Sequence, residues 1–328
     1  MSELRPLLAW VFVLAACASP SGAQKKEPEL PEFAPAGRRT PAVQQLVDRA
    51  ERELERNRPS RARQLLEKAI EKDSRRCRAH YLLGVALSLL NESQRARQSF
   101  ERAWQLCPRD KKMALAAGMG YDLAANPARA IEIYTRALEH HPGDPDLLHQ
   151  LGMSLLMEGR KKQALDALAV AYAGKPDSEI ASDYGYTLLV SGRPGEAKRV
   201  LEGVWRSSPG RPDAGLNLAR ALVALKDFAS AESVLDVLVG SASAPKQAWR
   251  LLALARLRQG KAGDALEAAR RAAELEPDEP RSHFMLCMCL EAMGRHAEAA
   301  DAARKALAVD SSFAPARKFL ESLKRKGK

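Results

Sequence analysis

The sequence predicts an all-α chain: a solenoid of about eight helix pairs closed by one C-terminal helix. Three observations predict it. Segments such as "RQSFERAWQLCPRD", "IEIYTRALEHHPGD" and "LDALAVAYAGKPDS" recur at a spacing of about 34 residues. Small residues return at the same places in every recurrence. The composition favours helices, with 46% apolar but only 5% aromatic residues and an abundance of Leu, Ala, Arg, Glu and Lys. At 328 residues the chain has ample length for a core. Its net charge of +11 suggests an anionic partner or surface. Nucleic acid is the usual first thought, and it fails if the chain leaves the cytoplasm.

The N-terminus decides that question. Arg5 precedes an apolar run from Leu7 to Ala16, which as a helix spans about 15 Å, half a bilayer core. A basic start, a short apolar core and small residues after it predict a secretory signal peptide over residues 1–16. Leu14-Ala15-Ala16-Cys17 sits at the end of that core and resembles a bacterial lipobox. The resemblance implies cleavage before Cys17 and acylation of that cysteine. Two or three acyl chains, at about 0.8 kcal/mol per buried methylene, hold a protein on a membrane effectively permanently. Ala18, where an aspartate would signal retention, implies an outer-membrane anchor facing the periplasm. The alternative is cleavage after Ser21-Gly22-Ala23, which releases a soluble periplasmic protein. A misread start would leave the chain in the cytoplasm. Residues 17–42 then form the lipidated end and a tether. Pro20, Pro28, Pro31, Pro35 and Pro41, with little apolar periodicity, make a solvated segment. Its reach is roughly 30 Å as a coil.

The repeats follow as 43–76, 77–110, 111–144, 145–177, 178–211, 212–245, 246–279 and 280–313. Position 8 holds Ala50, Gly84, Gly118, Gly152, Gly185, Ala219, Ala253 and Cys287. Position 20 is alanine throughout: Ala62, Ala96, Ala130, Ala164, Ala197, Ala231, Ala265 and Ala299. At position 32, Pro108, Pro142, Pro176, Pro209 and Pro277 stop the second helix. This pattern resembles the tetratricopeptide repeat, and the resemblance implies a right-handed α-solenoid. Only small residues at positions 8 and 20 let the two helices of a repeat approach closely. Position 24 supplies the larger plug, as in Leu66, Phe100, Tyr134, Leu168, Leu201 and Leu235. Ala269 and Ala303 stand there in the last two repeats, which predicts thinner packing. No repeat buries its apolar face alone, so stability comes from stacking. Residues 314–328 predict a capping helix, with Ala316, Phe319, Leu320 and Leu323 on one face and a basic tail.

In proteins of this kind the first helices line a concave groove through positions 2, 5, 6, 9, 12 and 13. Carried across, these give an acidic rim of Asp48, Glu51 and Glu55. An apolar middle follows: Tyr81, Leu82, Val85, Leu115, Met119, His149, Met153, Leu156, Met157 and Tyr186. The far part carries Asn217, Arg220, Arg250, Arg258 and Arg281, with Phe284, Met285 and Met288 between them. Methionines suit adaptable peptide binding, and the arginines suit an acidic segment or a terminal carboxylate. The competing reading is that these side chains pack between adjacent first helices. A specialised form of the family grips a terminal carboxylate through Lys and Asn. Asn217 fits one such place, but Ser182 and Tyr186 stand where the others belong, so that function is not expected.

Cys77 and Cys107 fall at the same end of the second repeat, where a disulfide could form in an oxidising periplasm; free thiols are the default. Cys287 and Cys289 are two apart on a helix and point in different directions. His140 and His141 end a helix, where imidazolium suits the dipole. His80 and His283 share position 4, which suggests packing. No P-loop, nucleophile elbow, zinc spacing or dinucleotide loop occurs, so no enzyme, cofactor, metal or small-molecule substrate is expected. The expected partner is a protein segment in the groove, with the membrane reached through the lipid anchor and no nucleic acid. In architecture the chain is similar to repeat lipoproteins that pilot pilus secretins, and to scaffolds of polysaccharide export and of peptidoglycan hydrolases. The alternative is a basic binder of anionic envelope polymer or lipid head groups.

Overall fold

The computed structural model describes residues 41–207, 211–241 and 244–326. The signal peptide, Cys17, nearly all of the tether, Pro209 and the last two residues of the basic tail lie outside the described residues. Seventeen helices and no strand occur among those described. None is long and apolar enough to cross a membrane. The chain divides into two compact units, 1–174 and 175–328.

The first unit holds α1 (Pro41–Glu55), α2 (Pro59–Lys72), α3 (Cys77–Leu89), α4 (Ser93–Leu106), α5 (Lys111–Asp122), α6 (Pro127–Leu138), α7 (Pro145–Met157) and α8 (Lys161–Gly174). The second holds α9 (Ser178–Val190), α10 (Pro194–Ser207), α11 (Pro212–Ala224), α12 (Phe228–Val239), α13 (Lys246–Arg258), α14 (Ala262–Leu275), α15 (Pro280–Ala292), α16 (His296–Val309) and α17 (Ala314–Lys326). From α3 onward every first helix begins at the residue the repeat predicts. The array opens at Pro41 rather than at residue 43, because proline is well suited to a first helical position. Asp110, Asp144 and Asp177 cap α5, α7 and α9 by accepting backbone N–H bonds, and Asn126 and Asp227 do so for α6 and α12. Pro108, Pro142 and Pro277 follow the ends of α4, α6 and α14.

Inside each unit, every helix packs on the next one in sequence. First helices also touch first helices: α1 meets α3 and α5 meets α7, and in the second unit α9, α11, α13 and α15 form a continuous row. The first helices therefore make one layer of each unit and the second helices the other.

The lock between position 8 and position 24 carries the pairing. A Cβ built on Gly118 would lie 2.3 Å from Tyr134 Cζ, and one on Gly84 2.5 Å from Phe100 Cδ1. Gly152 and Gly185 face Leu168 and Leu201 with the same lack of room. Tyr134, Leu66, Leu168, Leu201 and Leu235 are fully buried. In the seventh pair Ala253 and Ala269 are both buried, alanine against alanine. In the eighth, the larger Cys287 stands at position 8 where position 24 has shrunk to Ala303.

The turn between first and second helix has one conformation in all eight pairs. Position 15 is left-handed in Asn57, Asn91, Ala125, Gly159, Gly192, Lys226, Gly260 and Gly294, with φ between 53° and 80°. The next residue donates its N–H to the carbonyl five positions back at 2.8–3.0 Å, as in Glu92 to Leu87 and Arg295 to Leu290. This is the Schellman arrangement, which satisfies the last carbonyls of the first helix. Glycine adopts it without strain and asparagine with little; Ala125 and Lys226 hold it against their own preference.

Candidate interaction faces

In the first unit, α3, α5 and α7 each carry a row of side chains one turn apart. The rows are Tyr81, Val85, Leu89; Leu115, Met119, Leu123; and His149, Met153, Met157. Spacing of four places each row along one face of its helix. The rows emerge from the core as they run toward the turns. Tyr81 lies against Phe100, with ring centroids 5.9 Å apart, and Val85 and Leu115 are half-buried. Leu123 and Met157, at position 13, are 67% and 55% exposed. Leu156 packs partly into the small cluster around Leu155 and Ala164.

Two expected contact residues of this face prove to be interior. Leu82 and His149 are 7% and 6% exposed. Leu82 belongs to the core cluster of the unit, and His149 is buried as well. The acidic rim is also partly cancelled, because Arg78 donates to both carboxylate oxygens of Glu51 at 2.8 and 2.6 Å.

Asp122 borders the apolar rows at position 12 of α5. Its carboxylate accepts two 2.8 Å contacts from Ser154 Oγ on α7 and one of 3.3 Å from Tyr134 OH on α6. Burial pushes its pKa up to about 6, against the pull of those two hydroxyls. Sequence reasoning missed both Asp122 and Leu123, although positions 12 and 13 pointed to them.

The second unit presents a different face. Tyr186 is exposed on α9, and Arg220 is half-exposed on α11. Asn217 is buried and accepts a 3.2 Å hydrogen bond from Arg220. Arg250 is also interior in its bonding: it donates to Glu276 at 2.8 Å and to Ser282 Oγ at 3.2 Å. It ties α13 to the end of α14 and to α15, which removes it from the list of available cations. Arg258 and Arg281 remain exposed, Arg281 only 4.0 Å from Glu279. Phe284 stacks edge-on against Phe313.

The chemistry-bearing residues outside these faces are structural. Cys77 and Cys107 are bonded to each other, with Cα atoms 6.0 Å apart, and so join the start of α3 to the end of α4. Cys287 and Cys289 are fully buried free thiols, and burial pushes both up to about 12. His80 and His283 use Nε2 to bond the carbonyls of Ser74 and Pro277 at 3.0 and 2.7 Å, and His141 does the same to Arg109 at 2.7 Å. Each braces the loop before a first helix or beside one. No group of three metal-ligating side chains occurs among the described residues.

Two family profiles described as tetratricopeptide repeat match residues 47–111 and 250–315, and residues 122–182 and 188–255. The chain belongs to the tetratricopeptide repeat family. Among curated proteins, none matches the sequence. Solved structures match the fold widely. A tetratricopeptide repeat protein from Parabacteroides merdae aligns with 76% of this chain and 100% of its own, at 12% identity and a TM-score of 0.58. Pseudomonas aeruginosa pilF aligns with 63% of this chain and 94% of its own, at 19% identity and 0.55. The Cut9–Hcn1 hetero-tetramer of the APC/C covers 84% of this chain and 55% of its own, at 16% identity and 0.60. At these identities the likeness is one of fold. A tetratricopeptide array is a protein–protein interaction scaffold, generally without enzymatic activity, that takes peptide segments on its first-helix face.

Proposed function

We propose that this tetratricopeptide protein is a lipid-anchored scaffold of the bacterial envelope, held through Cys17 on the periplasmic side of the outer membrane. There it captures protein segments to recruit or assemble envelope machinery such as pilus and secretion complexes, polysaccharide export or peptidoglycan enzymes. The observation that carries the scaffold reading is the three-row apolar face ending in exposed Leu123 and Met157. Aligned apolar side chains that end exposed are a mark of protein-binding surfaces. The compartment rests on the signal-like N-terminus and is supported by the Cys77–Cys107 disulfide, a bond that persists in oxidising surroundings.

The test is crosslinking capture from envelope membranes with wild type and Met153→Glu at two salt concentrations. Loss of captured protein in the variant, with little dependence on salt, supports the scaffold. Material held equally by the variant and stripped by salt marks the exposed arginines as a seat for anionic polymer or lipid head groups, and rejects the scaffold. A Cys17→Ala chain that still fractionates with the outer membrane rejects the anchor.

A further inference from the structure

We propose that the apolar face of the first unit receives an amphipathic protein segment whose lysine or arginine is met by Asp122. This rests on the scaffold reading and adds to it the charge that the partner must bring. From position 5 to position 13 the rows extend about 12 Å along each helix, and three helix axes span about 20 Å. A helix of about 14 residues covers that area. Within it, the polar groups at the groove positions of α3, α5 and α7 besides Asp122 are the Tyr81 hydroxyl, half-buried Ser88 and Gln150, and the buried His149; the rest are apolar. Asp122 is the ionisable group at its edge, and its bonding partners are two hydroxyls. No cation pairs with it among the described residues. Among the carboxylates near these helices, Glu51 is matched by Arg78, Asp144 and Asp146 by Lys111 at 2.7 Å each, and Glu158 by Arg160 at 3.2 Å.

An apolar segment docking on the face removes water from the open side of Asp122. A carboxylate left without water or countercharge opposes that docking. A lysine or arginine in the segment resolves the conflict, because its methylene stem lies along Met119 and Leu123 while its head reaches the carboxylate. An acidic segment is repelled here, whereas Arg220, Arg258 and Arg281 of the second unit attract it.

The experiment is selection of a phage-displayed random peptide library on the immobilised full chain at neutral pH, in parallel on Asp122→Asn and Met153→Glu. Peptides enriched on wild type are expected to carry one Lys or Arg among Leu, Met or Phe. They should bind Asp122→Asn about tenfold more weakly, and norleucine in place of the basic residue should weaken binding to wild type as much. The norleucine comparison uses the wild-type chain alone, so it decides the matter even if Asp122→Asn folds poorly. Enriched peptides without a basic residue, or with equal affinity after the norleucine exchange, overturn the proposal. If such peptides are still lost with Met153→Glu, the scaffold reading survives without it. Peptides that bind Met153→Glu as tightly as wild type, or no enrichment at all, overturn both.

Discussion

The two units run the same 34-residue register and fill it differently. In the first, position 8 is glycine in three pairs and the plug opposite is Phe100, Tyr134 or Leu168. In the second, Gly185 still faces Leu201, but the socket then grows to Ala219, Ala253 and Cys287 while the plug passes from Leu235 to Ala269 and Ala303. In the eighth pair bulk moves from plug to socket, whereas in the seventh both sides are alanine. The exposed faces diverge as well: apolar across α3, α5 and α7 with Asp122 at the edge in the first unit, arginine-bearing in the second. Shared geometry thus leaves both volume and charge free to vary.

The largest effect that tests this comparison comes from emptying a large plug. Tyr134→Ala is expected to destabilise the first unit by about 3–5 kcal/mol, whereas Ala269→Gly in the second costs about 1 kcal/mol. Denaturation followed by hydrogen exchange separates the units. Adding Gly118→Cys to Tyr134→Ala imitates the pair Cys287 and Ala303, and should recover part of the loss. No recovery would show that the ring, rather than its volume, is what the first unit needs.

Next in size is the disulfide, which only the first unit contains among the described residues. It closes a separation of 30 residues, for which chain entropy predicts a contribution of about 3–4 kcal/mol. Reductant should lower the unfolding midpoint of the α3–α4 region and leave α9 to α16 where they were. Equal sensitivity of both units would break the comparison.

Asp122 gives a smaller, pH-dependent effect. Its folded pKa of about 6 lies above the 3.8 of an exposed aspartate. The folded chain therefore holds more protons than the unfolded one between those values, and stability falls as pH rises through that window. Below about pH 4 the carboxyl is neutral in both states. Asp122→Asn removes the dependence, so its stability relative to wild type should be greater at pH 7 than at pH 4. A difference that is flat with pH would mean the carboxylate is better solvated than its burial implies.

The smallest effect should be the same in both units. Ala125→Gly and Lys226→Gly relieve a left-handed residue and are each expected to stabilise by about 0.5–1 kcal/mol. Gly159→Ala and Gly260→Ala should lose a similar amount.

These predictions also mark what the sequence could tell. Repeats, sockets and helix starts were legible, because positions 8, 20 and 32 leave one residue class little choice. The interaction face was legible only in part. Positions 9 and 13 reach solvent, as Met153, Tyr186, Leu123 and Arg258 do. At positions 5 and 6, by contrast, Leu82, His149 and Asn217 are buried. That distinction depends on tertiary packing, which the repeat pattern alone does not contain. Arg250 was misjudged for a related reason: its partner Glu276 lies in the following loop, 26 residues away. The recurrent left-handed position 15 was visible as Asn and Gly in six pairs, with Ala125 and Lys226 obscuring the pattern.

The burial of Cys287 and Cys289 makes the eighth pair its own reporter. Thiols that are shut from solvent and protonated to about 12 ignore alkylating reagents while α15 stays packed. Alkylation at these two sulfurs therefore clocks the opening of the C-terminal end of the second unit, without any engineered label. Its rate, read by mass spectrometry in the presence of a bound segment, would show how far the grip of a partner is felt along the array.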